Sequence, residues 1–118
     1  MERISLLSSN GIDVEKGLEL LGDIEMYNEI MTDFLNEANN RLTELQTHKE
    51  NNDMENYAIL VHAIKSDSKY LGFDKLAELA LAHELESKDN NIEYVNSNYD
   101  ELITELNRII KVIQTYLE

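Results

Sequence analysis

The chain has 118 residues, with no Cys, no Pro, no Trp and four Gly, and its 24 acidic against 10 basic side chains give a formal charge of −14. That length fits one domain, 1–118, with one core, while zero Cys excludes a disulfide scaffold, a thiolate zinc site and a cysteine nucleophile. So acidic a surface repels phosphodiesters and anionic lipid, making nucleic acid and membrane poor partners.

Residues 1–11 carry one basic residue and no long apolar run, so no signal peptide is expected there. Asn10-Gly11 is a turn signal, and Asp13 to Leu21 reads as a short accessory helix, about 13–21, ending at Gly22. From Asp23 the apolar residues Ile24, Tyr27, Ile30, Met31, Phe34, Ala38, Leu42 and Leu45 recur at steps of three and four. They predict one long helix over about 23–47. The polar run from Lys49 to Asp53 breaks it, with Asp53 as N-cap of the next helix, about 53–71. There Tyr57, Val61, Ile64, Ser68 and Leu71 form the apolar stripe, and Gly72 stands where a left-handed cap is wanted. Asp74 caps a segment of about 74–88 whose stripe is Leu76, Leu79, Ala80 and His83. A last helix, about 92–117, carries Val95, Tyr99, Leu102, Leu106, Ile109, Ile113 and Tyr116. Nothing alternates with period two for long enough to form a strand. Four amphipathic helices joined by short connections predict an all-α, antiparallel up-down-up-down four-helix bundle, with the accessory helix across one end.

Three histidines mark the places where chemistry is conceivable. His48 falls in a polar turn and reads as a solvated loop residue. His83 lies on an inward stripe and reads as a core or boundary histidine with a hydrogen-bond partner. His62 differs, because at about 100° per residue it points roughly 150° away from the stripe of its own helix. Ala58 and Ser66, one turn to either side, are small and leave the ring open to a large partner. Lys65 and Lys69 project the same way and are point charges suited to phosphate. Ile59 adds an apolar contact of the kind a docking surface uses. Composition and periodicity alone leave this reading open beside that of a plain solvated face.

Other chemistries fare worse. The Glu-x-x-His pairs of a bundle di-metal site are missing, and His83-Glu84 lacks the second His of a zinc protease. The four glycines are scattered, so no phosphate loop is built.

The run Val61-His62-Ala63-Ile64-Lys65-Ser66-Asp67-Ser68-Lys69-Tyr70-Leu71-Gly72 resembles the signature of histidine-containing phosphotransfer (HPt) domains. In those domains the phosphorylated His is followed by Lys at +3, a small residue at +4 and Gly at +10. The likeness extends through Gly11-Ile12-Asp13, Gly17-Leu18, Gly22-Asp23 and Tyr27 to Phe34, and on to Leu76, Ala77 and Glu84. It implies a carrier that passes a phosphoryl group to and from receiver-domain aspartates, or takes it from a histidine kinase, with no substrate of its own. By position, His62 is the implied phosphoacceptor, Lys65 the residue that holds phosphoryl oxygens, and Glu84 a residue that orients the ring. Ala58, Ile59, Ser66 and Lys69 are the docking neighbours expected from the helix face itself, and Lys69 is a physical addition, not a residue of the family pattern. Ser66 replaces the family's usual Gly, and His83 stands where an apolar residue is usual, which leaves open whether His83 or Glu84 faces His62. No cofactor of its own is implied, since Mg²⁺ would come with the receiver partner. The expected protein is cytoplasmic and monomeric, with an open convex surface around His62 and an exposed Lys65. The competing reading is a pseudo-HPt adaptor that docks a partner without carrying phosphate.

Overall fold

A computed structural model describes residues 2–118, so Met1 of the expected domain lies outside the described residues. These residues form six helices, α1 (Glu2–Ser9), α2 (Val14–Leu21), α3 (Ile24–Glu50), α4 (Met54–Leu71), α5 (Asp74–Lys88) and α6 (Ile92–Leu117). No strand occurs among the described residues.

The helices begin where side chains satisfy the free N–H groups of the first turn. The carboxylate of Asp13 accepts from Lys16 N at 3.0 Å, that of Asp23 from Met26 N at 2.8 Å, and that of Asp53 from Asn56 N at 3.2 Å. Asn91 does the same for α6, its side-chain oxygen accepting from Tyr94 N at 3.1 Å. Helix α5 departs from the expected pattern. Asp74 is its first residue and Phe73 its cap, without a side-chain capping bond, and the Asp74 carboxylate instead meets Lys16 Nζ at 2.6 Å.

The four long helices close a ring, in which α3 packs against α4 and α6 while α5 packs against the same two helices. The links between them are two or three residues long, leaving no slack in the ring. The long axis of the molecule measures 43 Å, close to the length of α6 at about 1.5 Å per residue. The core is filled by the stripe residues, among them Tyr27, Met31, Leu45, Tyr57, Val61, Ile64, Leu71, Leu102, Leu106 and Ile113, all fully buried. Phe34 and Phe73 meet edge to face, with ring centroids 5.3 Å apart.

Two expectations about element bounds are corrected. Helix α3 continues to Glu50 instead of closing near Thr47, so His48 lies in its last turn, 3.9 Å from the Asp53 carboxylate, not in a solvated loop. Residues 2–9, assigned no element from sequence, form α1. Its Leu7 is fully buried, and Arg3 Nη1 donates to Thr115 O and Tyr116 O, both at 2.8 Å, covering free carbonyls at the end of α6. The following turn is held by Arg108, which donates to Asn10 O at 2.9 Å while paired with buried Glu105.

Helix α2 is tied into one end of the bundle, where α4 ends and α3 begins. It packs against α4 and α3, and Asp13 N donates to Gly72 O at 2.8 Å. Tyr27 reinforces that corner by donating its hydroxyl to Leu71 O at 2.7 Å. These contacts fix the C-terminal end of α4 against α2 and α3, and with it the rotation of the helix that carries His62.

Candidate functional site

The site is made where the outward face of α4 meets α5. The α4 stripe from Tyr57 to Leu71 is buried, which turns His62 to solvent with its side chain 56 % exposed. Across from it, α5 buries Leu76, Ala77 and Ala80, and the same rotation draws both His83 and Glu84 inward.

These two neighbours have different partners. His83 faces the core, with Nδ1 2.8 Å from the Tyr57 hydroxyl and Nε2 3.1 Å from Asn98 O. A carbonyl oxygen only accepts, so Nε2 carries the proton and the Tyr57 O–H donates to Nδ1. Burial pushes the Tyr57 phenol far up and the His83 imidazole down, which keeps both neutral.

Glu84 faces His62. Its side chain is 3 % exposed, yet its two oxygens meet three donors. Oε1 accepts from Lys65 Nζ at 2.6 Å, and Oε2 from His62 Nδ1 at 2.7 Å and from Lys88 Nζ at 2.9 Å. Burial alone would raise the pKa of this carboxyl, but hydrogen bonds from Lys65, Lys88 and His62 prevail and hold it down at about 2. An ionised carboxylate is acceptor-only, so Nδ1 of His62 must donate. In the neutral ring the lone pair is then on Nε2, at the exposed edge.

The surroundings correct two expectations, the exposure of Lys65 and the convexity of the surface. Lys65 is not an exposed cation, since its side chain is only 15 % exposed and its ammonium is committed to Glu84. Ala58 is buried, whereas Ile59 is strongly exposed beside the ring. The surface near His62 is not simply convex. An open groove of about 640 Å³ runs between α4 and α5, floored by Met54, Ala58 and Ser87 and edged by Ile59, His62 and Lys88. Ser66 is partly exposed, and Lys69 is exposed and takes no part in the Glu84 cluster.

Lys88 was not singled out from sequence. Its one available signal is the four-residue step from Glu84, which places the two on one face of α5. That step acquires meaning only once Glu84 is known to face His62. Among the described residues, no group of three or more His, Asp or Glu is arranged to hold a metal ion, and no helix is long and apolar enough to cross a membrane.

A helical ring presenting one solvent-facing imidazole, backed by an ionised carboxylate and two ammonium groups, is suited to carrying a transferable anion. Comparison with known proteins agrees with that class. The family model for the Hpt domain matches residues 29–112, and the chain belongs to that family. Membership supports a phosphotransfer-carrier role in two-component signalling, in which Hpt domains interact with receiver domains and kinases. No curated protein and no solved structure gave a significant match.

Proposed function

We propose that this Hpt domain carries its phosphoryl group on Nε2 of His62, exchanging it with a receiver-domain aspartate or taking it from a histidine kinase. The observation that carries the reading is the 2.7 Å contact between His62 Nδ1 and an ionised, buried Glu84 carboxylate. It fixes the tautomer, leaving the exposed Nε2 as nucleophile.

In the transfer step the Nε2 lone pair attacks phosphorus while the P–O bond to the donor aspartate breaks and its electrons return to the carboxylate. No proton has to leave. The ring keeps Nδ1–H and becomes positively charged as the Nε2–P bond forms, and Glu84 already faces that charge across the hydrogen bond. In the reverse direction the same cationic ring is a good leaving group. Phosphoryl transfer rests mainly on positioning and charge stabilisation, with Mg²⁺ among its recurring parts. Here the receiver partner supplies the metal and the acidic pocket. Helices α3 to α6 provide the rigid up-down-up-down frame, a course supported by their short links. Ile59 and the groove beside it offer apolar area next to the reacting nitrogen, where the partner docks.

The test is incubation of the chain with a phosphorylated receiver domain and Mg²⁺. The expected product is an acid-labile phosphoryl adduct that His62→Gln abolishes. A label that persists in His62→Gln sinks the assignment, and a stable but unlabelled complex with the wild-type chain establishes an adaptor in its place.

A further inference from the structure

His62 and Lys88 share one oxygen. Nδ1 of the ring and Nζ of Lys88 both donate to Oε2 of Glu84, at 2.7 and 2.9 Å, so the ammonium sits one carboxylate atom away from the imidazole. Both side chains also line the same groove. The two lysines of the cluster are held very differently. Lys65 is 15 % exposed and provides the contact to Oε1, so moving it strips a buried carboxylate of a partner. Lys88 is 61 % exposed, and Oε2 keeps its bond from His62 when Lys88 leaves.

We propose that Lys88 is a phosphoryl-binding residue, whose ammonium moves from Glu84 Oε2 onto the phosphoryl oxygens once His62 is modified. The inference rests on the phosphotransfer reading above and divides labour between the cations. Lys65 keeps the carboxylate in place as the ring's partner, and Lys88 follows the added charge. Before modification, the ammonium groups of Lys65 and Lys88 both meet the single Glu84 carboxylate, so Oε2 shares its charge between Lys88 and the ring, and phosphoryl oxygens added to the ring offer Lys88 a stronger anion. The charged side chains at the groove or bonded to Glu84 are Glu55 and Lys65 from α4 and Glu84 and Lys88 from α5. Of these, Lys88 is the ammonium that lines the groove and is free to swing. Lys69 is seven residues along α4 from His62, about 10 Å by helical rise, and provides a control cation on the same surface.

The test uses the whole chain phosphorylated with phosphoramidate, whose P–N bond breaks to release ammonia as the phosphoryl group passes to the ring. The ³¹P chemical shift of the phosphohistidine is then followed against pH. A neighbouring ammonium favours the fully ionised phosphoryl group, so Lys88→Ala should raise the phosphoryl pKa by about half a unit to one unit. Lys88→Arg should restore the wild-type curve, and Lys69→Ala should leave it unmoved. Superimposable curves for wild type and Lys88→Ala overturn the proposal, as do equal shifts in Lys88→Ala and Lys69→Ala. A purely structural role for Lys88 would change unfolding but not this titration. If the wild-type chain accepts no phosphoryl group from a receiver or from phosphoramidate, the carrier reading fails and takes Lys88 with it. Normal phosphorylation with a flat Lys88 series overturns the Lys88 role alone.

Discussion

Oε2 of Glu84 lies 2.7 Å from Nδ1 of His62, linking a solvent-facing imidazole to a nearly inaccessible carboxylate. The contrast is productive because the two ends need opposite environments. Nε2 must meet a partner, whereas the group that sets its tautomer works best fixed and shielded, where a charge-assisted hydrogen bond is strong.

Replacing Glu84 by Gln keeps the shape and removes the charge. The amide must then present either oxygen or nitrogen to three donors, and each lysine loses its counter-ion. Transfer to His62 should slow by about 10-fold or more, because the tautomer and the cationic ring both lose support. Single-turnover transfer from a phosphorylated receiver measures this. A Glu84→Gln rate equal to wild type, with the fold intact by circular dichroism, removes Glu84 from the mechanism.

Lys65→Ala should destabilise the fold as well as affect transfer. Its ammonium is largely covered and holds Oε1 at 2.6 Å, so truncation leaves a buried carboxylate with its two exposed partners only. A loss of about 2 kcal/mol in a urea titration is the expected size, because Oε1 loses its donor while Oε2 keeps two. Lys69→Ala, on the same helix but outside the cluster, should leave the urea midpoint in place. Equal midpoints for the two variants contradict the burial of Lys65.

Acid should weaken the fold over two windows. His83 has its pKa lowered by burial, so below its ordinary 6.5 the unfolded chain takes up a proton that the native site resists. Stability from this group is therefore present above 6.5 and falls away as pH drops. Glu84 acts lower, between its ordinary 4.5 and about 2, an interval worth on the order of 3 kcal/mol. Its contribution is complete above 4.5 and is lost toward 2. The other acidic side chains add a background, which the difference between wild type and Glu84→Gln removes. That difference, from urea midpoints at successive pH values, should be constant above 4.5 and shrink below it. A difference that grows on acidification means the carboxylate is not held ionised by its neighbours.

Much of the frame was legible because local rules and tertiary packing agree. The stripe from Tyr57 to Leu71 is buried as its spacing requires, and Asp53 caps α4 from the position its neighbours suggest. Helix α1 was not legible, since eight residues with three apolar side chains carry no capping box. It is stabilised by contacts with the far end of the chain, Arg3 on Thr115 and Tyr116. Within the site, spacing along α4 set Lys65 near His62, but no spacing decides between His83 and Glu84. That choice depends on the rotation of α5, which the core fixes through Leu76 and Ala80 and through the bonds of His83 to Tyr57 and Asn98. The groove and the covering of Lys65 arise from the same inter-helix contact, so a single helix read alone contains neither.

Gly72 gives the sharpest test of how α4 is held. It ends the helix at φ 82° and ψ 20°, a left-handed cap, and its N–H returns to Ser68 O. A Cβ built there would run into the backbone carbonyl of Asp13, the same residue whose N–H donates to Gly72 O. Any side chain must therefore push α2 away from the end of α4. Gly22 also has a positive φ, 96°, but with ψ −44° it lies outside the left-handed well, and a Cβ there meets nothing within 4 Å. The pair separates backbone strain from close approach. Gly22→Ala should lose about 1–3 kcal/mol from conformation alone, whereas Gly72→Ala should lose about 1–3 kcal/mol for the clash on top of the roughly 1–2 kcal/mol of its own left-handed conformation. Urea titrations of both variants decide the matter. Equal losses would mean that the corner between α2 and α4 yields without resistance, and that the rotation of α4 which exposes His62 is fixed by the ring of long helices alone.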